Sequence, residues 1–358
     1  IIAYHCCTKG AEIVSKLHVE DTVEVAPDLA AETARALFIA AGAPADVADE
    51  VAGHLVEAEQ CGVASHGIVR TVQYTREMLD GTLNPEARPE ILGQDDNRFT
   101  VQAHGGIGIP AMRVAHELAA KQAVDKGLAA VAVLGAGHTG RLGAFGEGAA
   151  KKGCLTIALG GGNRKRWRMV APYGGRDALL PTNPYCIAIP GGDRGPVVLD
   201  IATSQAAGGW IYAARTAGVD LPVGLIVDRD GNPSRNPGDY FDGGAILPKG
   251  GPLGYGLALI AELVGEAMLG PLPKGEINWL VLALNCHNYN EAPMMQAAAE
   301  EVLSEIRAST PASDHEQVLI PGEREREALA KSTHGPLTVP RRIWTAIQTM
   351  EQDFAPPK

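Results

Sequence analysis

Leu128-Ala129-Ala130-Val131-Ala132-Val133-Leu134 is an unbroken apolar run in the middle of the chain. Such a run is typical of a β-strand that is buried on both faces. A helix is predicted before it, from Pro110 to Lys126, and Gly127 ends that helix. A helix from about Gly143 to Lys152 and a strand from Cys154 to Leu159 follow and repeat the unit. Strands and helices that alternate over short joints predict an α/β fold with a central sheet.

The turn after this strand, Gly135-Ala136-Gly137-His138-Thr139-Gly140, satisfies G-x-G-x-x-G between a strand and a helix. That context favours a Rossmann dinucleotide loop. A Rossmann unit also carries an acidic residue about 20 positions further on, where this chain has the glycine-rich stretch 159–164. The fingerprint gives His138 no role. The residues therefore leave two interpretations open, a dinucleotide loop and a glycine-rich turn that binds no ligand.

The stretch Ser65-His66-Gly67-Ile68-Val69-Arg70 follows a helix predicted over 44–60. It begins with serine, a favoured N-cap, so a second helix is predicted from there to Asp80. His66 and Arg70 are four residues apart and would share one face of that helix. An imidazole can move a proton near neutral pH, and a guanidinium can bind a carboxylate with two hydrogen bonds. The pair predicts a site for a 2-oxo or 2-hydroxy acid, although a surface or capping role accounts for the same residues.

Polar loops follow the later predicted strands. Asp200-Ile201-Ala202-Thr203-Ser204 leaves the end of a strand at Val197–Leu199, which is where α/β proteins bind ligands. Asp200 is equally well placed to cap a helix that starts near Gln205. Gly250 to Leu257 opens a long apolar helix and supplies backbone donors suited to phosphate.

Composition and charge narrow the class of protein. The chain has 358 residues, 46% of them hydrophobic and 20% charged, which is typical of globular proteins and sufficient for two lobes. A net charge of −11 argues against nucleic acid and anionic membranes as partners, and no apolar run is long enough to span a bilayer. We therefore expect a cytoplasmic protein.

The six cysteines are scattered along the chain, without Cys-x-x-Cys pairs or Cys/His ligand spacing. This pattern indicates reduced thiols, with neither a disulfide framework nor a metal site. The chain starts at Ile1 without the layout of a signal peptide. We expect residues 1–20 to be disordered or added in cloning, and we leave them out of the fold prediction.

Six motifs occur together in one order between about Leu29 and Trp344. They are Ser65-His66-Gly67-x-x-Arg70, Gly137-His138-x-Gly140, Thr182-Asn183-Pro184, Asp200-x-Ala202-Thr203-Ser204, Gly254-Tyr255-Gly256-Leu257 and Ile320-Pro321-Gly322-Glu323. Each motif is weak alone, but the ordered set resembles the malate/L-lactate dehydrogenase family that is unrelated to the Rossmann-fold lactate and malate dehydrogenases. Members of that family include ureidoglycolate, sulfolactate and diketogulonate oxidoreductases and a branch that reduces cyclic imino acids.

The resemblance implies an α/β fold with a non-Rossmann nicotinamide-binding domain, a mixed sheet, and a largely helical lobe built from both chain ends. The expected domains are a helical substrate and dimerisation lobe, residues 21–110 with 310–358, and a cofactor-binding α/β domain, residues 111–309. A homodimer is also implied.

The resemblance also implies roles for individual residues. It makes His66 and His138 the active-site histidines, and Arg70 the carboxylate-binding residue. We expect Asp200 to orient or charge-balance an imidazole, and Thr182 to bond a substrate oxygen. The expected cofactor is NAD, with NADP left open. The expected cofactor-contacting residues are Gly162, Asn163, Ile201, Ala202, Thr203, Ser204, Gln205, Pro252, Leu253, Pro321, Gly322 and Glu323.

The chain departs from the family pattern at the expected cofactor site. Relatives usually read Gly-Gly-His-Lys-Gly where this chain has Pro252 and Leu253, and they tend to carry a basic residue at position 208 or 210. A lysine that would meet a phosphate is therefore missing, which leaves the choice between NAD and NADP open. Lys249 or the basic run Arg164–Arg168 is a candidate replacement. Glu59 stands where relatives usually carry Asp.

We expect an oxidoreductase that transfers a hydride between NAD(P) and a small 2-hydroxy or 2-oxo acid of the malate, lactate or ureidoglycolate type. A reductase of cyclic imino acids needs the same arginine and proton donor and is the first alternative. A relative that binds nicotinamide without catalysis is the second, and a standard Rossmann enzyme that uses Gly135–Gly140 is the third.

Overall fold

The structure is a computed structural model that describes residues 21–94, 98–272, 276–332 and 335–354. The expectation for residues 1–20, and Cys6 and Cys7 with it, lies outside the described residues. The described chain forms two compact units. The larger unit holds Asp21–Ala158, Cys186–Asp200 and the described part of Gly275–Lys358. The smaller unit holds Leu159–Tyr185 and the described part of Ile201–Lys274.

These boundaries differ from the predicted domains, because residues 111–158 fall in the same unit as the N-terminal helices. The physical reason is the helix Gly108–Lys126, which contacts the helix Ala45–Gln60 and also packs on strands Leu128–Ala136 and Ile277–Asn285. Its inward face is alanine-rich, with Ala115, Ala119 and Ala123 fully buried. Small side chains let the helix lie close to the sheet.

The strands, in chain order, are Thr22–Val25 (β1), Glu90–Gln94 (β2), Arg98–Gln102 (β3), Leu128–Ala136 (β4), Cys154–Gly161 (β5), Tyr185–Ile189 (β6), Val197–Ile201 (β7), Ile226–Val227 (β8), Pro233–Ser234 (β9), Ala245–Ile246 (β10), Ile277–Asn285 (β11) and Leu337–Pro340 (β12). Seven of them form one sheet in the order β2-β3-β4-β11-β5-β6-β7. Strand β4 pairs parallel with β3 and antiparallel with β11, so the sheet is mixed. A Rossmann loop follows a strand of a parallel sheet, so this sheet removes the fold-level support for a Rossmann loop at Gly135–Gly140.

The α-helices are Pro27–Ala40 (α1), Ala45–Gln60 (α2), Arg70–Leu79 (α3), Gly108–Lys126 (α4), Gly143–Ala150 (α5), Gly208–Ala217 (α6), Pro237–Phe241 (α7), Pro252–Glu262 (α8), Ala292–Arg307 (α9), Glu323–Ser332 (α10) and Arg341–Phe354 (α11). Two ends of the described chain meet in the larger unit. Strand β1 pairs antiparallel with β12, and α11 packs against α1. Both ends of the described chain therefore meet in one unit, as predicted, and that unit also contains most of the seven-stranded sheet.

The smaller unit has a separate core and a three-stranded sheet in the order β10-β8-β9. Its core includes Val170, Ile211, Ile226 and Ile246. Helix α8 continues into a π-helix at Leu263–Met268. Among the described residues, no helix combines the length and the apolar character that a membrane span requires.

Candidate active site

The stretch 65–70 is not one continuous helix. A 3-10 turn covers Ala64–His66, Gly67 leaves it with extended backbone (φ −90°, ψ −145°), and α3 begins only at Arg70. The predicted helix from Ser65 to Asp80 is therefore wrong in its first turn. His66 and Arg70 do not share one helical face, and the turn itself determines their positions.

A buried carboxyl group holds this turn in place. Oε2 of Glu59, near the end of α2, accepts the backbone N–H of Ile68 at 3.0 Å. Gly67 packs so closely on Glu59 that a Cβ at this position would overlap the carboxylate. Burial raises the pKa of Glu59 to about 7, and the Ile68 hydrogen bond opposes that rise. Glu59, which stands where relatives usually have Asp, therefore supports the turn.

Arg70 is half-buried and folds back onto the turn. Its Nε donates to the carbonyl oxygen of Ser65 at 2.7 Å, and its Nη1 donates to Oε1 of Gln73. Two of its three nitrogens are thus used within the larger unit. One N–H on Nη1 and two on Nη2 remain, so a carboxylate can bind the end of the guanidinium with two hydrogen bonds while both of these contacts are kept.

The two predicted histidines lie together although they are far apart in the sequence. The ring centroids of His66 and His138 are 5.3 Å apart, with 29° between the ring planes. Burial, with Arg70 as the next contribution, lowers the pKa of His66 to about 3. Burial and Arg70 likewise hold the pKa of His138 well below its ordinary value. Both imidazoles are therefore neutral at pH 7, and a basic side chain lies close to them.

Sequence reasoning missed a third ring at this place. The hydroxyl of Tyr74 lies 2.6 Å from Nδ1 of His138, and the N–H of Gly140 donates to the same nitrogen at 3.2 Å. Tyr74 is fully buried, and burial raises the pKa of its hydroxyl. Its position four residues after Arg70 was a usable signal, because residues at that spacing neighbour each other on a helix.

The loop that carries His138 is held from α2. Nε2 of His54 accepts the backbone N–H of Arg141 at 2.9 Å, and Nη2 of Arg141 contacts Oε1 of Glu57 at 2.6 Å. Gly140 has a left-handed φ of +66°, and a Cβ there would overlap His54. His54, Glu57 and Arg141 were not predicted, because an i, i+3 pair on a helix carries no signal for a partner more than 80 positions away.

A pocket of about 310 Å³ lies in the larger unit, and His54 and Glu57 of helix α2 form part of its wall. Its lining includes His54, His116 and Phe145. None of the residues predicted for catalysis or substrate binding lines it.

Asp200 does not contact an imidazole. Its Oδ2 accepts the backbone N–H of Gly143 at 2.7 Å, at the start of α5. Dense packing around the carboxyl group raises its pKa to about 6, and the Gly143 hydrogen bond and Arg141 oppose that rise. The predicted role in orienting a histidine is not what the structure shows. The carboxylate binds the first turn of a helix, where negative charge is favoured.

In the smaller unit, Gly162 shares a hydrogen-bond partner with Asn183. This residue has φ +35°, and its Nδ2 donates to Oε1 of Glu262 at 2.6 Å. The buried Oδ1 of Asn183 has no hydrogen-bond partner among the described residues. The same Glu262 oxygen accepts the N–H of Gly162 at 3.2 Å. Asn163 is also buried.

The predicted segment 201–205 uses its hydroxyl groups locally. Thr203 donates from both its N–H and its Oγ1 to the carbonyl oxygen of Thr182, each at 2.9 Å. Ser204 donates to the carbonyl oxygen of Ala206, and the N–H of Gln205 donates to that of Leu247. Ile201 and Ala202 are half-buried, as is Thr182 itself. The predicted helix near Gln205 begins three residues later, at Gly208.

Leu253 is 68% exposed in the first turn of α8, directly after Pro252. The two candidate replacements for the missing lysine differ in how free their side chains are to bind a phosphate. Arg164 is in an ion pair with Glu266, with 2.9 Å between Nε and Oε2. Lys249 is half-buried just before the turn.

The segment Pro321-Gly322-Glu323 belongs to the larger unit. Glu323 is buried, and its Oε1 accepts Nε of Arg307 at 2.8 Å while Oε2 accepts the N–H of Ile320. The carbonyl oxygen of Pro321 accepts the N–H of Val198. The Glu323 side chain is therefore used in the fold. Nη1 of Arg326, one turn later, is buried without a partner among the described residues.

The fold agrees with comparisons to known proteins. Residues 25–348 match the family model described as malate/L-lactate dehydrogenase. The chain is 32% identical to the L-lactate dehydrogenase of Cupriavidus necator, over 91% of this chain and 96% of that protein. It is 32% identical to a Δ¹-pyrroline-2-carboxylate/Δ¹-piperideine-2-carboxylate reductase of Pseudomonas putida, over 68% of this chain and 71% of that protein. The structure of the sulfolactate dehydrogenase of Methanocaldococcus jannaschii superposes with a TM-score of 0.82 at 28% identity, and the match covers 93% of this chain and 97% of that one.

The chain belongs to the malate/L-lactate dehydrogenase family. It is an oxidoreductase that transfers a hydride between a nicotinamide dinucleotide and a small 2-hydroxy or 2-oxo acid. The resemblance inferred from the six motifs is thereby confirmed, and so is the non-Rossmann fold class.

The polar groups of the smaller unit fit such a dinucleotide. A nicotinamide carboxamide and ribose hydroxyls need hydrogen-bond acceptors, and the buried Oδ1 of Asn183 is an acceptor without a partner among the described residues. Phosphates need backbone N–H groups at helix N-termini, and α6 and α8 begin without a side-chain cap. Across the described ranges, no group of three or more His, Cys, Asp or Glu side chains is arranged to hold a metal.

Proposed function

We propose that Arg70 binds the substrate carboxylate and that His66 or His138 exchanges the proton of the substrate oxygen. The observation that supports this assignment is the cluster in the larger unit, where two neutral imidazoles lie 5.3 Å apart beside one guanidinium. A carboxylate on Arg70 would offset the positive charge that now lowers the pKa of both histidines. Substrate binding would therefore raise the basicity of the imidazole that accepts the proton.

Thr182 is proposed to bond the substrate oxygen. Its half-buried hydroxyl group has no assigned partner among the described residues, while its carbonyl oxygen binds Thr203. Asp200 is proposed to act through the backbone. By accepting the N–H of Gly143, it fixes the start of α5 directly after the loop that carries His138.

A bound nicotinamide dinucleotide would supply the hydride acceptor for C2 of the substrate, or the hydride donor in the reverse direction. We propose that Gly162, Asn163 and the segment Ile201–Gln205 contact it, with Pro252 and Leu253 near a phosphate. Pro321 and Gly322 would contact it through their backbone, since the Glu323 side chain already binds Arg307. NAD is the proposed cofactor, and NADP remains the alternative because Leu253 replaces the usual lysine.

The proposed substrate is a small 2-hydroxy or 2-oxo acid of the malate, lactate or ureidoglycolate type. A second candidate is a cyclic imino acid, which the similarity to the Pseudomonas putida reductase favours. We also propose a homodimer in the cytoplasm. Turnover of oxaloacetate, pyruvate, ureidoglycolate and piperideine-2-carboxylate, each with NADH and NADPH, would separate these candidates. Binding of NADH without turnover on any substrate would indicate a non-catalytic relative.

Variants test the assignment of residues. His66→Ala and His138→Ala should each lower kcat by on the order of 10²–10⁴, because each removes an imidazole from the reacting oxygen. Arg70→Lys should raise KM by roughly 10- to 100-fold, since lysine does not form a two-pronged contact. NADH binding should be preserved in all three. His315→Ala, an exposed histidine, is the control. Wild-type turnover in both site-histidine variants would contradict the proposal.

A further inference from the structure

We propose that Tyr74 is a positioning residue that fixes His138 with its proton on Nε2. His138 then donates a hydrogen bond to the substrate oxygen, while His66 exchanges the proton. This inference rests on the proposed function. It assigns the proton exchange to one histidine and the hydrogen bond to the substrate oxygen to the other, whereas the sequence does not distinguish the two.

The first step concerns Nδ1 of His138. The backbone N–H of Gly140, which can only donate, points at this nitrogen at 3.2 Å. Nδ1 must therefore carry a lone pair, and the imidazole proton must be on Nε2. The Tyr74 hydroxyl at 2.6 Å then also donates to Nδ1. Because this hydroxyl is buried, it has no water as an alternative partner.

The second step concerns the charged form of His138. An imidazolium would place an N–H on Nδ1, directly against the N–H of Gly140, and would have to turn the Tyr74 hydroxyl into an acceptor. Desolvation and the charge of Arg70 disfavour the charged form of both histidines, so the hydrogen-bond partners of Nδ1 are what separates His138 from His66. His138 therefore remains neutral and presents Nε2–H, which stabilises negative charge on the substrate oxygen as a fixed donor.

The third step concerns His66. Its Nδ1 lies 2.9 Å from Oγ of Ser65, and a hydroxyl group can either donate or accept. Ser65 can therefore accept a hydrogen bond from a proton on Nδ1 of His66, which leaves Nε2 unprotonated and able to take the substrate proton. In the oxidation direction, the hydroxyl proton would move to Nε2 of His66, the O–H electron pair would form the second C–O bond, and the hydride would leave C2 for the bound nicotinamide dinucleotide. Reduction reverses these transfers.

The test begins with nitrogen NMR of ¹⁵N-histidine-labelled protein. The His138 signals are assigned by their loss in His138→Gln. In the wild type they should show a protonated Nε2 and an unprotonated Nδ1, with no titration between pH 5 and pH 9. In Tyr74→Phe, the weaker Gly140 contact alone remains, so the same signals should shift towards a mixture of tautomers.

Tyr185→Phe is the matched control. It also removes one tyrosine hydroxyl group that donates to an acceptor, here the carbonyl oxygen of Leu257 at 2.8 Å. We expect it to leave the His138 signals unchanged. A protonated Nδ1 on His138, or titration near neutral pH, would overturn the proposal whether or not the enzyme is active. Unchanged His138 signals in Tyr74→Phe would overturn the role of Tyr74, and if that variant does not fold, the wild-type spectrum still decides the tautomer.

Kinetics provide a readout that separates donor from base. His138→Gln keeps an amide N–H donor and should retain kcat within about tenfold of the wild type, whereas His138→Ala should lose roughly 10²–10³-fold. His66→Gln keeps a donor but no base and should lose on the order of 10²–10⁴. Tyr74→Phe should lower kcat about tenfold and leave KM unchanged. If His138→Gln is as inactive as His138→Ala while His66→Gln is active, the division of roles is wrong although the proposed function stands.

Discussion

At the scale of single residues, the candidate site combines half-buried ionisable groups whose neutral forms are favoured by desolvation. His66 and His138 lose their affinity for a proton through burial and the charge of Arg70, whereas Glu59 gains affinity for one. The neutral forms reduce the cost of burying these side chains. With these groups neutral, the carboxylate of a bound substrate would be the charge that raises the pKa of the two histidines.

Glu59 makes the stability of the fold depend on pH. Its pKa rises from 4.5 to about 7 in the folded protein, so between these values the folded state keeps a proton that the unfolded state releases. Stability from this group is therefore fully present below about pH 4.5 and is lost as pH rises towards 7. We expect Glu59→Gln to match the wild type near pH 5 and to exceed it at pH 8 by on the order of 1–3 kcal/mol.

Urea unfolding of both proteins at pH 5, 6.5 and 8 measures this difference. The amide that Glu59→Gln introduces keeps an oxygen to accept the N–H of Ile68, so the turn at Gly67 should be retained. Parallel pH curves for the two proteins would contradict the prediction.

At the scale of elements, short turns and helix ends position the site. The 3-10 turn at Ala64–His66 is held by a carboxylate on α2, and the loop after β4 is held by His54 on the same helix. In the smaller unit, Glu262 lies where α8 becomes a π-helix and accepts N–H groups from Gly162 and Asn183. Regular elements thus anchor the irregular ones that carry the candidate residues.

The N-terminus of α8 provides a test of the cofactor site. Leu253 is exposed in the first turn, where a lysine would add charge to the backbone donors that would face a phosphate in the proposed cofactor site. We expect Leu253→Lys to tighten binding of NADH or NADPH by about three- to tenfold at low salt, and high salt should reduce this gain.

Fluorescence titration with each dinucleotide measures the dissociation constants. Leu259→Lys adds the same charge to an exposed leucine further along α8 and is the control. An unchanged constant in Leu253→Lys, or an equal gain in the control, would argue against a phosphate at this helix end.

At the scale of the whole molecule, the proposed homodimer is open to direct measurement. A chain of 37.5 kDa should sediment at about 75 kDa, that is twice 37.5 kDa. The net charge of −11 on each chain opposes association at low ionic strength, so added salt should preserve or strengthen the dimer. Sedimentation velocity over a hundredfold dilution, with and without 0.5 M NaCl, measures this. A single species near 37.5 kDa at every concentration would contradict the proposal.

Local patterns predicted the elements with strong periodicity. Helix α2 lies where the spacing of apolar residues predicts it, because it buries one continuous face. Strand β4 covers the predicted apolar run, but only one of its faces is fully buried, since alternate residues from Leu128 to Leu134 are exposed or half-buried. Strand β2 and helix α10 were missed. Helix α10 has a strongly charged sequence, Glu323–Ser332, and only one buried residue among those described. The order of the seven strands was not predictable either, since mixed pairing joins segments that are far apart in sequence.

The sequence by itself determined the α/β class and the family, and it singled out the two histidines and the arginine of the proposed site, because these depend on spacings within short segments and on one order of motifs. Only the tertiary structure decided that Tyr74 binds His138, that Asp200 binds Gly143 and that Glu59 holds the turn before Arg70. The reason is physical. A hydrogen bond depends on two atoms meeting at about 3 Å, and for residues 57 or 64 positions apart the packing of helices on the sheet sets that distance.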